Sequence, residues 1–271
     1  MSVHVESKRM TTALIRQKKF SGEKITMLTS YDFTLARLVD QAGIDMFLVG
    51  DSASNVVCGN GTTLPITVEE MIFLTKGVVR AAEHALVVID MPFGSYQVSE
   101  EDAVRNAIKM LKESGADAVK LEGGEEILPA IRHMIATGVP VCGHLGLTPQ
   151  SVNQFGGYGL RAKEQAEADK LLHDAQVLDQ AGCFAIVLEK IPAALAEKVT
   201  KAVNCPTIGI GAGNKTDGQV LVLHDMLGLN QGFQPKFLRH FAELGEQVKT
   251  AVTSYVTAVH ESSFPNENEC Y

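Results

Sequence analysis

Gln180-Ala181-Gly182-Cys183-Phe184-Ala185-Ile186-Val187-Leu188-Glu189 is the stretch on which the fold turns. A glycine ends a helix, as is usual where the chain must leave with a left-handed residue. A short turn and an apolar run of strand length follow, and the run stops at an acid. The same unit stands twice earlier. Gln41-Ala42-Gly43 leads to a run ending at Gly50-Asp51, and Glu113-Ser114-Gly115 to one ending at Leu121-Glu122. Runs this apolar are typical of parallel strands buried under helices. Further runs begin near Lys24 (ITMLTS), Ala85 (ALVVID), Val139 (VPVCGH), Cys205 (CPTIGIG) and Leu221 (LVLHD), which makes eight with those near Met46, Ala118 and Phe184. Eight repeated units close most simply into a (β/α)8 barrel, with an open doubly wound sheet as the alternative.

Helix signals fall between the runs. Thr67 with Glu70, and Ser99 with Asp102, have capping-box spacing. Ala168, Leu171, Leu172, Ala175 and Leu178 form one stripe between Glu164 and Gln180. A C-terminal helix is expected from about Pro235 to His260, with Phe237, Phe241, Leu244, Val248, Val252, Tyr255 and Val259 on one face, packed on its own barrel or on a neighbouring subunit. The 271 residues then read as one barrel domain: an N-terminal arm to about residue 23, the barrel over 24–230, and a helix and tail over 231–271.

Composition narrows the function. The net charge is −8 and no Lys/Arg run occurs, which argues against a nucleic-acid or anionic-membrane surface. Five scattered cysteines, Cys58, Cys142, Cys183, Cys205 and Cys270, fit reduced thiols better than a disulfide framework or a zinc ribbon. Met1 to Lys19 lacks a signal-peptide core and no apolar run is long enough to span a membrane; a cytoplasmic protein is expected.

The chemistry collects where strands end. Asp51, Asp90, Glu122, His144 and Glu189 close five separate runs, the end at which α/β barrels build their active sites. A lone acid there usually caps the next helix, but four carboxylates brought together repel unless a cation or a shared proton compensates. Mg2+ suits oxygen ligands of this kind, making Asp51, Asp90 and Glu122 candidate ligands, directly or through water. Lys120 lies two residues before Glu122 on the same strand face, one layer deeper; it either pairs with a carboxylate or receives an anionic substrate. His144, flanked by glycines, is a wall residue or an active-site group. Glu189 ends an apolar run, and a partly desolvated carboxylate suits a general base. The glycine-rich 209–216 loop matches no nucleotide motif, though loops after strand seven of a barrel often hold anions.

Several stretches in order carry a resemblance: Val49-Gly50-Asp51-Ser52, Asp90-Met91-Pro92-Phe93, Val119-Lys120-Leu121-Glu122-Gly123-Gly124, the run Cys142 to Ser151 (CGHLGLTPQS), and Gly209-Ile210-Gly211-Ala212-Gly213. Together they resemble the ketopantoate hydroxymethyltransferase family, from about Lys24 to the C-terminal helix. The resemblance implies a barrel of the phosphoenolpyruvate/pyruvate type that moves a one-carbon unit from 5,10-methylenetetrahydrofolate to 2-oxoisovalerate, for pantothenate and coenzyme A synthesis. It implies one Mg2+ per subunit on Asp51, Asp90 and Glu122. It also implies keto-acid contacts from Asp51, Ser52, Asp90 and Lys120, an active-site histidine at His144, Glu189 as proton acceptor, and a large homo-oligomer, commonly a decamer. The loop from Cys58 to Pro65 departs from the family, many members carrying an acid or a bulkier residue where Gly61 stands. Two other readings compete: a 2-oxo-acid lyase of the same superfamily, and a barrel that binds a ligand without turnover.

Overall fold

The computed structural model describes residues 9–232 and 234–271. They fall into two compact units, one through Leu221 and one from Val222. In the first, eight strands run β1 Ile25–Thr29, β2 Met46–Val49, β3 Leu86–Asp90, β4 Ala118–Glu122, β5 Val141–Gly146, β6 Ala185–Glu189, β7 Thr207–Ile210 and β8 Gly218–Leu221. Each pairs in parallel with its sequence neighbours and β8 pairs with β1, so the sheet closes into the expected barrel. Among the described residues nine α-helices belong to this unit: α1 Thr12–Ser21, α2 Phe33–Gln41, α3 Ala53–Val56, α4 Val68–Ala81, α5 Glu100–Ser114, α6 Leu128–Ala136, α7 Val152–Phe155, α8 Gln165–Ala181 and α9 Ala193–Ala202. Residues 1–8 of the expected arm lie outside the described residues; α1 occupies most of the rest.

Strand parity decides what faces the barrel interior. Val87 and Ile89 pack outward in the larger core beneath the helices, whereas Leu86 and Val88 join an inner cluster with Met46, Leu48, Ala118, Cys142, Ala185 and Val187. Ile15 of α1 joins it beside Ile25 and Phe184, at the end where the strands begin. Two residues further along the same inward faces stand Asp90, Lys120, His144 and Glu189, and two beyond Lys120 stands Glu122. The interior is therefore apolar at one end and charged at the other. Each buried aliphatic side chain contributes about 1.5–3 kcal/mol, while each buried ion costs several kcal/mol unless paired. A charged layer inside a barrel works against the fold, so its presence points to chemistry.

Local signals behave as their chemistry requires, with three corrections. Thr67 and Glu70 form a full capping box at α4. Ser99 accepts from the Asp102 N–H, but Asp102 turns its carboxylate to Arg105, so only half of that box forms. Gly115 and Gly182 end α5 and α8 in the left-handed conformation. The last strand begins earlier than the LVLHD run: β8 starts at Gly218, where a side chain would come within 2.5 Å of the Ile25 carbonyl. Leu223 onward is instead a turn of helix, α10 (Leu223–Met226), in the second unit. The C-terminal helix α11 spans Leu244–His260 and does not begin at Pro235. The Phe241 and Leu244 N–H groups bond to the carbonyls of Met226 and Leu227, which draws the preceding segment away from helical pairing. All five cysteines are free, and no described helix is long and apolar enough to cross a membrane.

Candidate active site

The strand ends bring the sequence-selected residues into one buried cluster. Lys120 Nζ lies 2.7 Å from both Asp90 oxygens and 3.6 Å from Glu122 Oε1, with all three side chains at most 3% exposed. His144 stands between two acids, its Nδ1 3.3 Å from Glu122 Oε1 and its Nε2 3.4 Å from Glu189 Oε2. Both ring nitrogens are at ion-pair distance, yet neither makes an aligned hydrogen bond. Asp51 follows β2, and its N–H donates to Asp90 Oδ2 at 3.3 Å. A side chain at Gly50 would come within 2.8 Å of Ser52 Oγ; glycine there leaves room for the serine, whose hydroxyl lies 2.8 Å from the Tyr31 hydroxyl.

Electrostatics differentiates the acids. Burial, then the nearby charges of Asp90 and Glu122, push the Asp51 carboxyl well above the usual range. Burial also raises Asp90, with Lys120 opposing it. Glu122 goes the other way: burial is outweighed by Lys120 and His144, and the carboxylate is held below its ordinary value. Burial and the Lys120 charge disfavour a charged His144, but Glu122 and Glu189 prevail and push its pKa up to about 9. Lys120 remains an ammonium, because its carboxylate neighbours overcome burial. Four acids thus face two cations, and the imbalance falls most heavily on Asp51, whose ionisation burial and the neighbouring carboxylates oppose.

That imbalance suits a hard cation. Among the described residues no three His, Cys, Asp or Glu side chains form a ready metal cage. Mg2+ does not require one, since it commonly takes one or two carboxylates and completes its shell with water and substrate. Asp51 and Asp90 could supply the oxygen donors. Glu122 accepts the Gln150 N–H at Oε2 and turns Oε1 towards His144 and Lys120, which favours contact with a cation through water. The glycine-rich 209–216 loop is braced from β8, Gln219 Nε2 donating to Gly213 O at 2.9 Å and Thr216 Oγ1 at 2.8 Å.

Two residues not selected from the sequence complete the cluster. Gln150 donates from Nε2 to Asp51 Oδ2 at 3.0 Å and accepts the Tyr96 hydroxyl at 2.7 Å. Gln150 lies within the CGHLGLTPQS run, but its residue type carried no signal of its own; Tyr96 follows the DMPF stretch by three residues. Beside them opens a cavity of ≈ 760 Å³ whose wall includes Glu122, Phe93, Leu145, Phe155 and Arg161. Leu64 of the divergent loop also lines it, while Gly61 faces open space. A Cβ added at Gly61 would meet nothing within 4 Å.

Comparisons with known proteins bear on the fold and the family. A family model described as ketopantoate hydroxymethyltransferase matches residues 9–267. Proteins named 3-methyl-2-oxobutanoate hydroxymethyltransferase from Flavobacterium johnsoniae and Bacteroides thetaiotaomicron are each 56% identical, over 97% and 98% of this chain and 97% of their own length. The one from Parabacteroides distasonis is 54% identical over 98% of this chain and 97% of its own length. Among solved structures, a phosphonopyruvate hydrolase complexed with oxalate and Mg++ superposes with a TM-score of 0.61 at 12% identity, covering 96% of this chain and 93% of that one. A 2,3-dimethylmalate lyase, described as a PEP mutase/isocitrate lyase superfamily member, gives 0.59 at 15% identity over 96% and 91%. At such identities the structural likeness establishes the barrel alone. The sequence matches go further: the chain belongs to the ketopantoate hydroxymethyltransferase family.

Proposed function

We propose that the chain transfers a hydroxymethyl unit from 5,10-methylenetetrahydrofolate to 2-oxoisovalerate, giving ketopantoate for pantothenate and coenzyme A synthesis. The carbon leaves folate as a methylene and ends as CH2OH, so one water is consumed. The observation that carries the reading is a buried carboxylate–ammonium cluster with one further carboxylate, Glu189, set across His144 from it. Mg2+ bound by Asp51 and Asp90, with Glu122 behind them, would act as a Lewis acid on the 2-oxo acid and stabilise negative charge on its oxygens.

The remaining steps fall to side chains. Lys120 and Ser52 hold the substrate carboxylate, with Lys120 sharing its N–H groups with Asp90. Glu189 removes the proton from C3, next to the polarised carbonyl, and the protonated His144 steadies the charges of Glu122 and Glu189. The cavity beside Gln150 and Glu122 exceeds the needs of a five-carbon acid and gives a larger co-substrate a route to the same mouth. Exhaustive chelation should abolish product formation and added Mg2+ should restore it. Full turnover of metal-stripped protein, or product formed without any one-carbon donor, would reject this reading.

The same reading makes the protein a cytoplasmic homo-oligomer, a decamer by resemblance, in which the whole chain serves as one barrel domain with its arm and C-terminal helix. Support comes from α11, where Val248, Val252 and Tyr255 are all more than half exposed, with Val259 close behind. Phe241, just before the helix, is 64% exposed. Phe241→Glu should therefore lower the sedimentation coefficient, because a charge in an apolar contact between subunits is strongly unfavourable. An unchanged profile would place Phe241 outside any subunit contact.

A further inference from the structure

Gln150 is a buried amide whose hydrogen-bonding capacity is completely used. Its two Nε2 protons go to Asp51 Oδ2 at 3.0 Å and to the Met91 carbonyl at 2.9 Å. Its Oε1 accepts from the Tyr96 hydroxyl at 2.7 Å and from Gln97 Nε2 at 3.1 Å. Its backbone N–H donates to Glu122 Oε2 at 3.0 Å. An amide offers two protons and two acceptor sites, so none is spare.

The orientation of that amide is locked by its neighbours. Gln97 Oε1 accepts the Gly94 N–H at 2.7 Å, which leaves only its Nε2 to face Gln150. The Tyr96 oxygen accepts the Glu122 N–H at 3.1 Å and sends its single proton along the shorter contact to Gln150. A reversed Gln150 amide would aim its oxygen at two acceptors, Asp51 Oδ2 and the Met91 carbonyl. Two backbone N–H groups, Gly94 in the β3–α5 loop and Glu122 at the end of β4, thus dictate, through Gln97 and Tyr96, which atom meets Asp51.

We propose that Gln150 is a positioning residue for the cation, holding Asp51 by Oδ2 so that Oδ1 alone is presented to the metal, while its N–H fixes Glu122 behind. This rests on the reading that Asp51 ligates the cation. A neutral donor suits the task. A lysine or arginine at this place would orient Asp51 equally well but would cancel the charge that attracts the metal. Among the described residues Asp51 Oδ1 has no hydrogen bond of its own, and Gln150 reaches Asp51, Met91 and Glu122, which belong to three successive strand ends.

The test is Mn2+ binding to the full-length protein, followed by electron paramagnetic resonance without folate or turnover. Mn2+ is a probe of the same oxygen-ligand class as Mg2+. Gln150→Met keeps the length and packing of the side chain and removes every amide contact. It should weaken Mn2+ binding by about 10–100-fold, the usual effect of removing a group that orients a ligand. Tyr96→Phe should weaken it less, and should add little in the Gln150→Met background because its influence runs through the amide. A purely structural role would lower the melting temperature of the metal-free protein and leave Mn2+ affinity untouched. Affinity within two-fold of the parent in folded Gln150→Met, with binding lost in Asp51→Asn, would overturn the proposal and keep Asp51 as ligand. Parent-like binding in Asp51→Asn would overturn both. Should Gln150→Met not fold, unchanged Mn2+ affinity in the double variant Tyr96→Phe with Gln97→Met, which removes both groups that orient the amide, would be equally decisive against it.

Discussion

Glu189→Gln should slow exchange of the C3 hydrogen of 2-oxoisovalerate with heavy water by roughly 10²–10⁴-fold, the usual contribution of a positioned general base. Forming the enolate requires no folate, so exchange isolates proton removal from carbon transfer. Glutamine keeps the shape of Glu189 and lacks only the basic oxygen. At 18% exposure, Glu189 is more open than Asp90 and Glu122, and it ends β6, apart from the proposed ligands, which follow β2 and end β3 and β4. Keto-acid binding should therefore survive the substitution while exchange and turnover fall together. The other candidate base is handicapped by its surroundings. With its pKa up to about 9 between Glu122 and Glu189, His144 carries its proton at neutral pH. Exchange at the parent rate in Glu189→Gln, measured by loss of the C3 proton signal, would nevertheless force the base to be reassigned to His144.

Most of the barrel is legible in the chain because its repeat is local. A glycine that must be left-handed, an apolar run and a terminal acid all lie within ten residues, and parity along each run fixes which side chains turn inward. The acids, Lys120 and His144 are visible for the same reason: a charge on an otherwise apolar run stands out within one strand, and its recurrence at five strand ends outweighs the helix-capping role of a lone acid. What cannot be read this way depends on contacts distant in sequence. Gln150 reaches Asp51, which is 99 residues away, and Tyr96, which is 54 away. No periodicity carries that information. The start of α11 was misplaced for a related reason: the apolar spacing continues back to Phe237, but backbone bonds to Met226 and Leu227 hold the preceding residues out of the helix. Expected strand eight was shifted because Leu221, Val222 and Leu223 look like a strand, while the true one begins at a glycine that the β1 backbone requires.

Long-range pairing also changes what two similar substitutions should do. From the sequence, Asp51→Asn and Asp90→Asn are expected to be equivalent, both weakening metal-dependent keto-acid binding with the fold intact. The structure separates them. Asp90 is the bidentate partner of a buried ammonium, so Asp90→Asn leaves Lys120 with one neutral oxygen and a second carboxylate at 3.6 Å. Removing one member of a buried ion pair typically costs about 3–5 kcal/mol. At about 2–4 °C per kcal/mol for a chain near this size, the melting temperature should fall by roughly 6–20 °C. Asp51→Asn has the opposite sign, because Asp51 meets the neutral Gln150 amide where Asp90 meets the Lys120 ammonium. Its carboxyl is raised by burial and by Asp90 and Glu122, so ionising it costs stability as pH climbs from the unfolded carboxylate range through the folded value. Without metal, Asp51→Asn should match or exceed the parent near neutral pH and lose that advantage in acid, while keto-acid binding in the presence of Mg2+ disappears. Pairing Asp90→Asn with Lys120→Met should recover much of the lost stability, since the uncompensated charge goes with the lysine, yet activity should stay absent. Equal melting temperatures for Asp90→Asn and the parent would mean that Lys120 does not depend on Asp90, and the ion pair at the centre of the site would have to be abandoned.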